Sequence, residues 1–267
     1  MSILHLLRPA SLLIRAAGLF RLLAAGFLSR LLAFAFGGSY CVCCGRPALF
    51  RPLCRECTED HFLGGLTSDS VRCHICGRLL VGEHAVCMAC RRDAMFTALD
   101  GVFPLYPYRL WYKNLLFSWK MEGERSLSPV FAAAVHKALG FLYEQAAVPC
   151  LVPVPPRPGK IRRKGWDQVD ELCRLLAVRY GYRVERLLVR QSGGQQKKKG
   201  FGERRDMRGV YGPSRRFTQL KRRDIIPAEV VLVDDLITSG STVAACAAVL
   251  KAGYIEKVKV LSLFIVD

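Results

Sequence analysis

The chain has 267 residues, 51% of them hydrophobic and 23% charged, which excludes wholesale disorder and leaves room for one large domain or a medium domain plus a small one. Forty Lys and Arg against 22 Asp and Glu give a net charge of +18, pointing to phosphate-rich ligands, nucleic acid or an anionic surface as partners. The excess is local, because Cys150 to Asp224 alone carries +14, from 21 basic and 7 acidic side chains.

Residues 1–38 are a leader of Leu, Ala and Phe, interrupted by Arg8, Arg15, Arg21 and Arg30 and free of acids. No uncharged run in it approaches the roughly 20 residues that span a bilayer. It is expected to be a helix packed on the rest of the protein or an extended start; a membrane-surface helix and a signal-like segment are the alternatives.

Tyr40 to Arg92 is a cysteine zone, in which eight of the chain's 12 cysteines form four C-x-x-C pairs. These are Cys41 and Cys44, Cys54 and Cys57, Cys73 and Cys76, and Cys87 and Cys90. Pairs at this spacing are a metal pattern, and a chain of this size needs no disulfide staples, so a reducing cytoplasm is expected. With 9 residues between the first two knuckles and 10 between the last two, each set can close around a tetrahedral ion, giving two structural zincs. Disulfides, or one zinc with four idle cysteines, are the alternatives. Cys43 is the spare, and His61, His74 and His84 are expected to be bystanders. The ribbons carry too little apolar sequence to fold unaided, so metal would supply much of their folding free energy.

Beyond the cysteines, Leu99 to Leu105 reads as a strand and Arg109 to Lys120 as an amphipathic helix turning Leu110, Leu115 and Trp119 inward. Ser126 and Ser128 are candidate N-caps for a helix over about 130–145. Strand and helix then alternate: LVPV at 151–154, a helix over 167–179, VVLV at 230–233, a helix over 242–251 ended by Gly253, and a strand over 258–266. This alternation predicts an α/β fold with a mainly parallel sheet and covering helices. Gln191 to Arg223 lacks periodicity and is expected to be a long loop or flap. The predicted organisation is a leader over 1–38, a small double zinc ribbon over 39–95, and an α/β domain over 96–267.

The segment VVLVDDLITSGSTVAACAAVLKAGY, Val230 to Tyr254, carries the most chemistry. A buried strand delivers Asp234 and Asp235 at its carboxyl end, where α/β sheets open their ligand crevice. Thr238, Ser239, Gly240, Ser241 and Thr242 follow, small residues whose amides and hydroxyls can surround an oxyanion at a helix start. A phosphate at one end and vicinal hydroxyls with a divalent cation at the other would satisfy both halves, as a ribose 5-phosphate does. The alternative is a tight strand-to-helix turn with an acidic cap.

These residues resemble the signature of type I phosphoribosyltransferases, and within that superfamily the chain from about Tyr40 to Asp267 resembles the ComF family of competence-associated proteins with an N-terminal zinc ribbon. Tyr108, Lys120 and Gly123 resemble its Y…K-x-x-G segment, and LVPVPPRPGKIRRKGWDQ, Leu151 to Gln168, its V-P-V-P…R-G-F-N-Q segment. Gln195 to Tyr211 resembles its flap, and Asp234 to Thr242 its phosphoribosyl loop. The resemblance implies a phosphoribosyltransferase-like parallel sheet with helices on both faces. It also implies ribose held by Asp234 and Asp235, 5-phosphate held by Thr238 to Thr242, and pyrophosphate held by the 155–168 loop. In that loop Lys160, Arg163, Lys164 and Gln168 are the candidates. Departures are Lys160 and Lys164 for arginines, Trp166 for Phe, Asp167 for Asn, Lys197 to Lys199 for Gly-Leu-Ser, and Asp206 for Asn. The expected activity is phosphoribosyl transfer, with Mg²⁺ and the loop cations clamping the departing pyrophosphate of phosphoribosyl pyrophosphate. The alternative is a non-catalytic protein of DNA uptake, binding single-stranded DNA or competence and DNA-processing proteins, or a phosphoribosyl sensor.

Overall fold

The computed structural model describes residues 40–48, 51–63, 71–93, 95–144, 147–191 and 209–266. The leader over 1–38 and the flap residues Lys197 to Lys199, Arg204, Arg205 and Asp206 lie outside them.

Four strands form one parallel sheet: β1 (Gly101–Pro107), β2 (Cys150–Pro153), β5 (Glu229–Ile237) and β6 (Lys257–Ile265), in the order β1-β6-β5-β2. A separate antiparallel pair joins β3 (Leu188–Arg190) to β4 (Tyr211–Pro213). The central strands are unbroken aliphatic runs because both of their faces are covered. Val231 and Val233 of β5 pack with Leu261 and Leu263 of β6 in one core, while Val230, Leu232, Val258 and Val260 pack in the other.

Helices cover both faces. On the first lie α4 (Ser128–Tyr143) and α6 (Gln168–Tyr180), through Phe131, Val135, Leu172 and Leu176. On the second lie α7 (Arg215–Arg222) and α8 (Ser241–Ala252), through Phe217, Leu220, Val243 and Leu250. The remaining helices, α1 (Arg55–Thr58), α2 (Met88–Arg92), α3 (Trp111–Phe117) and α5 (Lys160–Lys164), are short. Among the described residues no helix is long and apolar enough to cross a membrane.

The two cysteine groups are packed into this body, one on each side of edge strand β1. Cys41, Leu53, Cys57 and Phe62 belong to the first core, and Cys73, Cys76 and Cys87 to the second. The Tyr106 hydroxyl donates to the Phe62 carbonyl at 2.8 Å, and Phe62 meets the rings of Tyr106 at 5.3 Å and Phe131 at 5.7 Å. On the other side the Arg72 guanidinium donates to the carbonyls of Gly77 at 3.0 Å and Pro104 at 2.9 Å. Gly77 has φ +70°, and a Cβ there would stand 2.5 Å from the Val102 carbonyl, so glycine lets the Cys73–Cys76 knuckle lie directly on β1.

Several local expectations are corrected. The first strand starts at Gly101 and runs to Pro107. Leu110 does not face the core: it is 76% exposed and has φ +50° as the residue that starts α3, whereas Leu115 and Trp119 are fully buried. Neither serine caps α4. Its N-cap is Leu127, and Ser128, the first helical residue, is spent elsewhere. The Ser128 hydroxyl accepts from Trp119 Nε1 at 2.8 Å and donates to Glu171 at 2.6 Å, while the Ser126 hydroxyl goes to Glu124. Part of the stretch expected to be loop forms β4 and α7, with Ser214 capping α7 by accepting from Phe217 N at 3.1 Å.

Candidate functional site

The site lies where β5 ends between α6 and α8. Strand β5 continues past Asp234 and Asp235 to Ile237, so both carboxylates are buried, at 8% and 5% exposure. Asp234 Oδ1 accepts from the Asp235 backbone N–H at 2.8 Å. Asp235 Oδ2 accepts from Lys120 Nζ at 2.8 Å and from the Gln168 side-chain amide. The π-helical turn Ser118–Glu122 delivers Lys120, since it places Trp119 in the core and leaves the next side chain on Asp235. Lys120 was noticed in the sequence only through the Y…K-x-x-G segment.

Charge is unbalanced here. Burial first, and the Asp235 carboxylate second, push the Asp234 carboxyl up to about 8. Burial alone would lower Lys120, but the carboxylates of Asp235, Asp234 and Asp167 together outweigh it and hold the ammonium above its ordinary range. Two buried carboxylates thus share one ammonium, and among the described residues Asp234 accepts from the Asp235 backbone N–H while the ammonium bonds Asp235. The sign of the resulting pH dependence is fixed. The folded protein keeps a proton on Asp234 that the unfolded chain, with an ordinary Asp at about 3.9, has released. The stability from that proton is therefore complete below about pH 4 and is lost as pH rises to about 8. Asp234→Asn should consequently melt higher than the parent, with an advantage that grows from pH 5 to pH 8. At pH 8 it should reach on the order of 2 kcal/mol, or about 4–8 °C. Equal melting temperatures at pH 8 would show that Asp234 is already neutralised.

Beside this pair, Asp167 caps α6, its Oδ1 accepting from Val169 N at 3.1 Å and Asp170 N at 3.0 Å. Lys160 Nζ donates to Asp167 Oδ2 at 2.7 Å and to the Gln168 side-chain oxygen. Asp167 therefore does what an Asn can do at an N-cap and adds a partner for Lys160. Lys120, Asp235, Gln168, Lys160 and Asp167 form one hydrogen-bonded chain. Of the other candidates for pyrophosphate, Lys164 reaches the Lys120 carbonyl at 3.4 Å. Arg163 is helical, and its side chain lies outside the described residues.

The small-residue turn follows directly. Gly240 is the N-cap of α8 in the left-handed region, φ +82°, and offers no side chain of its own, while the Ser241 backbone N–H donates to the Ser239 hydroxyl at 3.4 Å. The N–H groups of the first turn gather at this end of the helix, where an anion can be held. Ser239 and Ser241 hydroxyls meet at 3.0 Å. Behind the turn, a Cβ on Gly240 would stand 2.5 Å from the Phe96 ring, so the segment after Cys90 supports the loop. Sequence reading missed Arg190, whose guanidinium donates to the Tyr211 hydroxyl at 3.2 Å, where Tyr211 also hydrogen-bonds Thr242. Burial raises this phenol, and Asp234 is among the charges that act on it.

The eight cysteines gather as two sets, Cys41, Cys44, Cys54, Cys57 and Cys73, Cys76, Cys87, Cys90, with all sulfurs of a set within 4.8 Å of one another. Sulfurs on a tetrahedral zinc at about 2.3 Å stand about 3.8 Å apart. Cys44 to Cys54 and Cys76 to Cys87 are each 3.7 Å, so both sets can hold such an ion. Their knuckles are alike: Gly45 N donates to Cys41 O at 2.9 Å and Gly77 N to Cys73 O at 2.8 Å. The Arg46 backbone N–H draws Cys44 down to about 6. Burial would raise Cys73, yet the N–H groups of Cys76, Cys87 and Ile75 bring it to about 7. In each set, therefore, backbone N–H groups ease the ionisation of one cysteine.

In comparisons with known proteins, no family model matches the chain and no curated protein matches it.

Proposed function

We propose that this chain is a phosphoribosyltransferase-like protein of the ComF kind. On this reading it binds phosphoribosyl pyrophosphate or a related phosphoribosyl ligand at the end of β5 and carries two structural zinc ions in its cysteine sets. The observation that carries the reading is the continuity of Asp234 and Asp235 with the small-residue Thr238–Thr242 turn at the start of α8. The groups offered for hydroxyl recognition thereby lie near the end of a central parallel strand, and those offered for anion recognition lie in the turn that follows it.

In this reading Asp234 and Asp235 accept hydrogen bonds from ribose hydroxyls. Thr238, Ser239, Ser241, Thr242 and the α8 amides hold the 5-phosphate. Oxygen donors of the Asp234 kind suit Mg²⁺, which when bound supplies positive charge to a departing pyrophosphate. Lys160 and Lys120 are positioned by Asp167 and Asp235, so a pyrophosphate would compete with carboxylates already in place. The four-sulfur sets suit zinc in its closed, structural role. Action in DNA uptake or nucleotide metabolism, in the cytoplasm, belongs to the same proposal.

A second reading, binding of single-stranded DNA, is favoured by α7. Arg215, Lys221, Arg222 and Arg223 are exposed, and Lys221 lies 4.3 Å over the exposed ring of Tyr254. Calorimetric titration with phosphoribosyl pyrophosphate and Mg²⁺, beside titration with a labelled DNA strand, separates the two. The first reading expects saturable binding near one per chain for the phosphoribosyl ligand. DNA binding alone, weakening with salt by a log-log slope of roughly −0.7 per phosphate contact, would favour the second.

A further inference from the structure

The first cysteine group contains more ligands than a four-coordinate ion needs. Cys43, Cys57 and His61 present ligand atoms that all lie within 4.8 Å of one another, a trio sharing Cys57 with the four-cysteine set. Cys57 and His61 are four residues apart where α1 runs on into the π-helical turn Glu59–Leu63, and that spacing puts both on one face. Cys43 approaches from the knuckle between Cys41 and Cys44. The imidazole is held in place: its ring lies 4.1 Å from that of Trp111, and the His61 carbonyl accepts from the Tyr112 hydroxyl at 2.9 Å. Cys41 and Cys54 are near enough to act electrostatically on Cys43. Among the described residues, the second group gathers its four cysteines and no histidine. The two groups also differ in cover. Cys44 is the exposed ligand of its set, whereas Cys43 is half-buried and Cys57 buried.

We propose that Cys43 and His61 are reserve ligands of the first metal centre. When Cys44 is withdrawn, the ion stays on Cys57 and is held by Cys43 and His61, with Cys41 or Cys54 completing the shell. The proposal rests on the reading that this group binds zinc. Sulfur and imidazole donors in mixed sets suit the same ion, and Cys57 belongs to both sets, so the exchange needs no dissociation. Retention matters to the fold because Cys57 and Phe62 sit in the first core.

The test is zinc content of the purified full chain, with the absorption of its cobalt-substituted form. The parent and the single variants Cys43→Ser, His61→Ala and Cys44→Ser should each carry about two zincs. Cys44→Ser combined with Cys43→Ser or with His61→Ala should fall to about one. Cobalt in Cys44→Ser should give a spectrum distinct from the parent's. A fall to one zinc in Cys44→Ser alone, or two zincs kept in both double variants, would overturn the reserve set. A parent with only one zinc, held by Cys73, Cys76, Cys87 and Cys90, would instead overturn the zinc reading of the first group and the reserve set with it.

Discussion

Removing the two proposed zinc ions from the full chain with a strong chelator should raise amide exchange first over residues 41–90 and then along β1, while β2, β5 and β6 remain protected. The order follows from where the cysteines sit. Structural zinc contributes about 10–16 kcal/mol of apparent binding free energy in isolated zinc-finger peptides, and the knuckles have few apolar side chains to replace it. Leu53, Cys57 and Phe62 share the first core with Tyr106, and Cys73, Cys76 and Cys87 share the second with Val102, so loosening either knuckle uncovers β1. Strands β6, β5 and β2 remain paired with one another when β1 loosens, and they keep their own helices. Because Phe96 supports Gly240, loss of the second ion should also weaken ligand binding at the α8 turn. Unchanged exchange over 41–90 after metal removal would show that the knuckles fold without metal.

Gly240→Ala should be the most damaging small substitution at the site. At φ +82° an alanine pays the left-handed penalty of about 1–2 kcal/mol, and its Cβ would lie 2.5 Å from two Phe96 ring carbons and 3.3 Å from Met95 Cγ. The ring must move or the turn must open. Adding about 1–2 kcal/mol for that repacking gives a loss of about 2–4 kcal/mol and a melting temperature lower by roughly 4–16 °C. Affinity for a phosphoribosyl ligand should fall at least tenfold, since the turn and the amides of α8 move together. A variant with parental melting and affinity would mean that neither the glycine conformation nor the Phe96 contact matters.

The sequence made the centre of the fold legible because its signals are local and strong. VVLV announces a strand covered on both faces, and eight cysteines at C-x-x-C spacing sort into the two sets that the structure brings together. Elements whose reasons are distant were not legible. Helix α7 reads RRFTQLKR, with Phe217 and Leu220 as its buried pair, so its pattern is mostly charge; Ser214 was the available signal. The β3–β4 pair has three residues per strand, too few to show a period, and so Arg190 at the Thr242 end of the site went unseen. Leu110 looked like one more apolar position on a helix, but α3 begins after it. Ser128 looked like a cap because nothing in the sequence tells that Trp119 and Glu171 converge on its hydroxyl. Likewise Asp167 looked out of place beside a pyrophosphate, until its capping of α6 and its pairing with Lys160 gave it a local task.

The claim that β5 ends in a phosphoribosyl site is tested most directly by calorimetric titration of phosphoribosyl pyrophosphate with Mg²⁺ into the parent and into the Asp234→Asn, Asp235→Asn double variant. Circular dichroism should show both to be folded. The parent should bind near one ligand per chain, and the double variant should bind at least 100-fold more weakly, a loss of about 2.7 kcal/mol. Equal affinity in the two proteins, or no binding by the folded parent, would contradict the assignment.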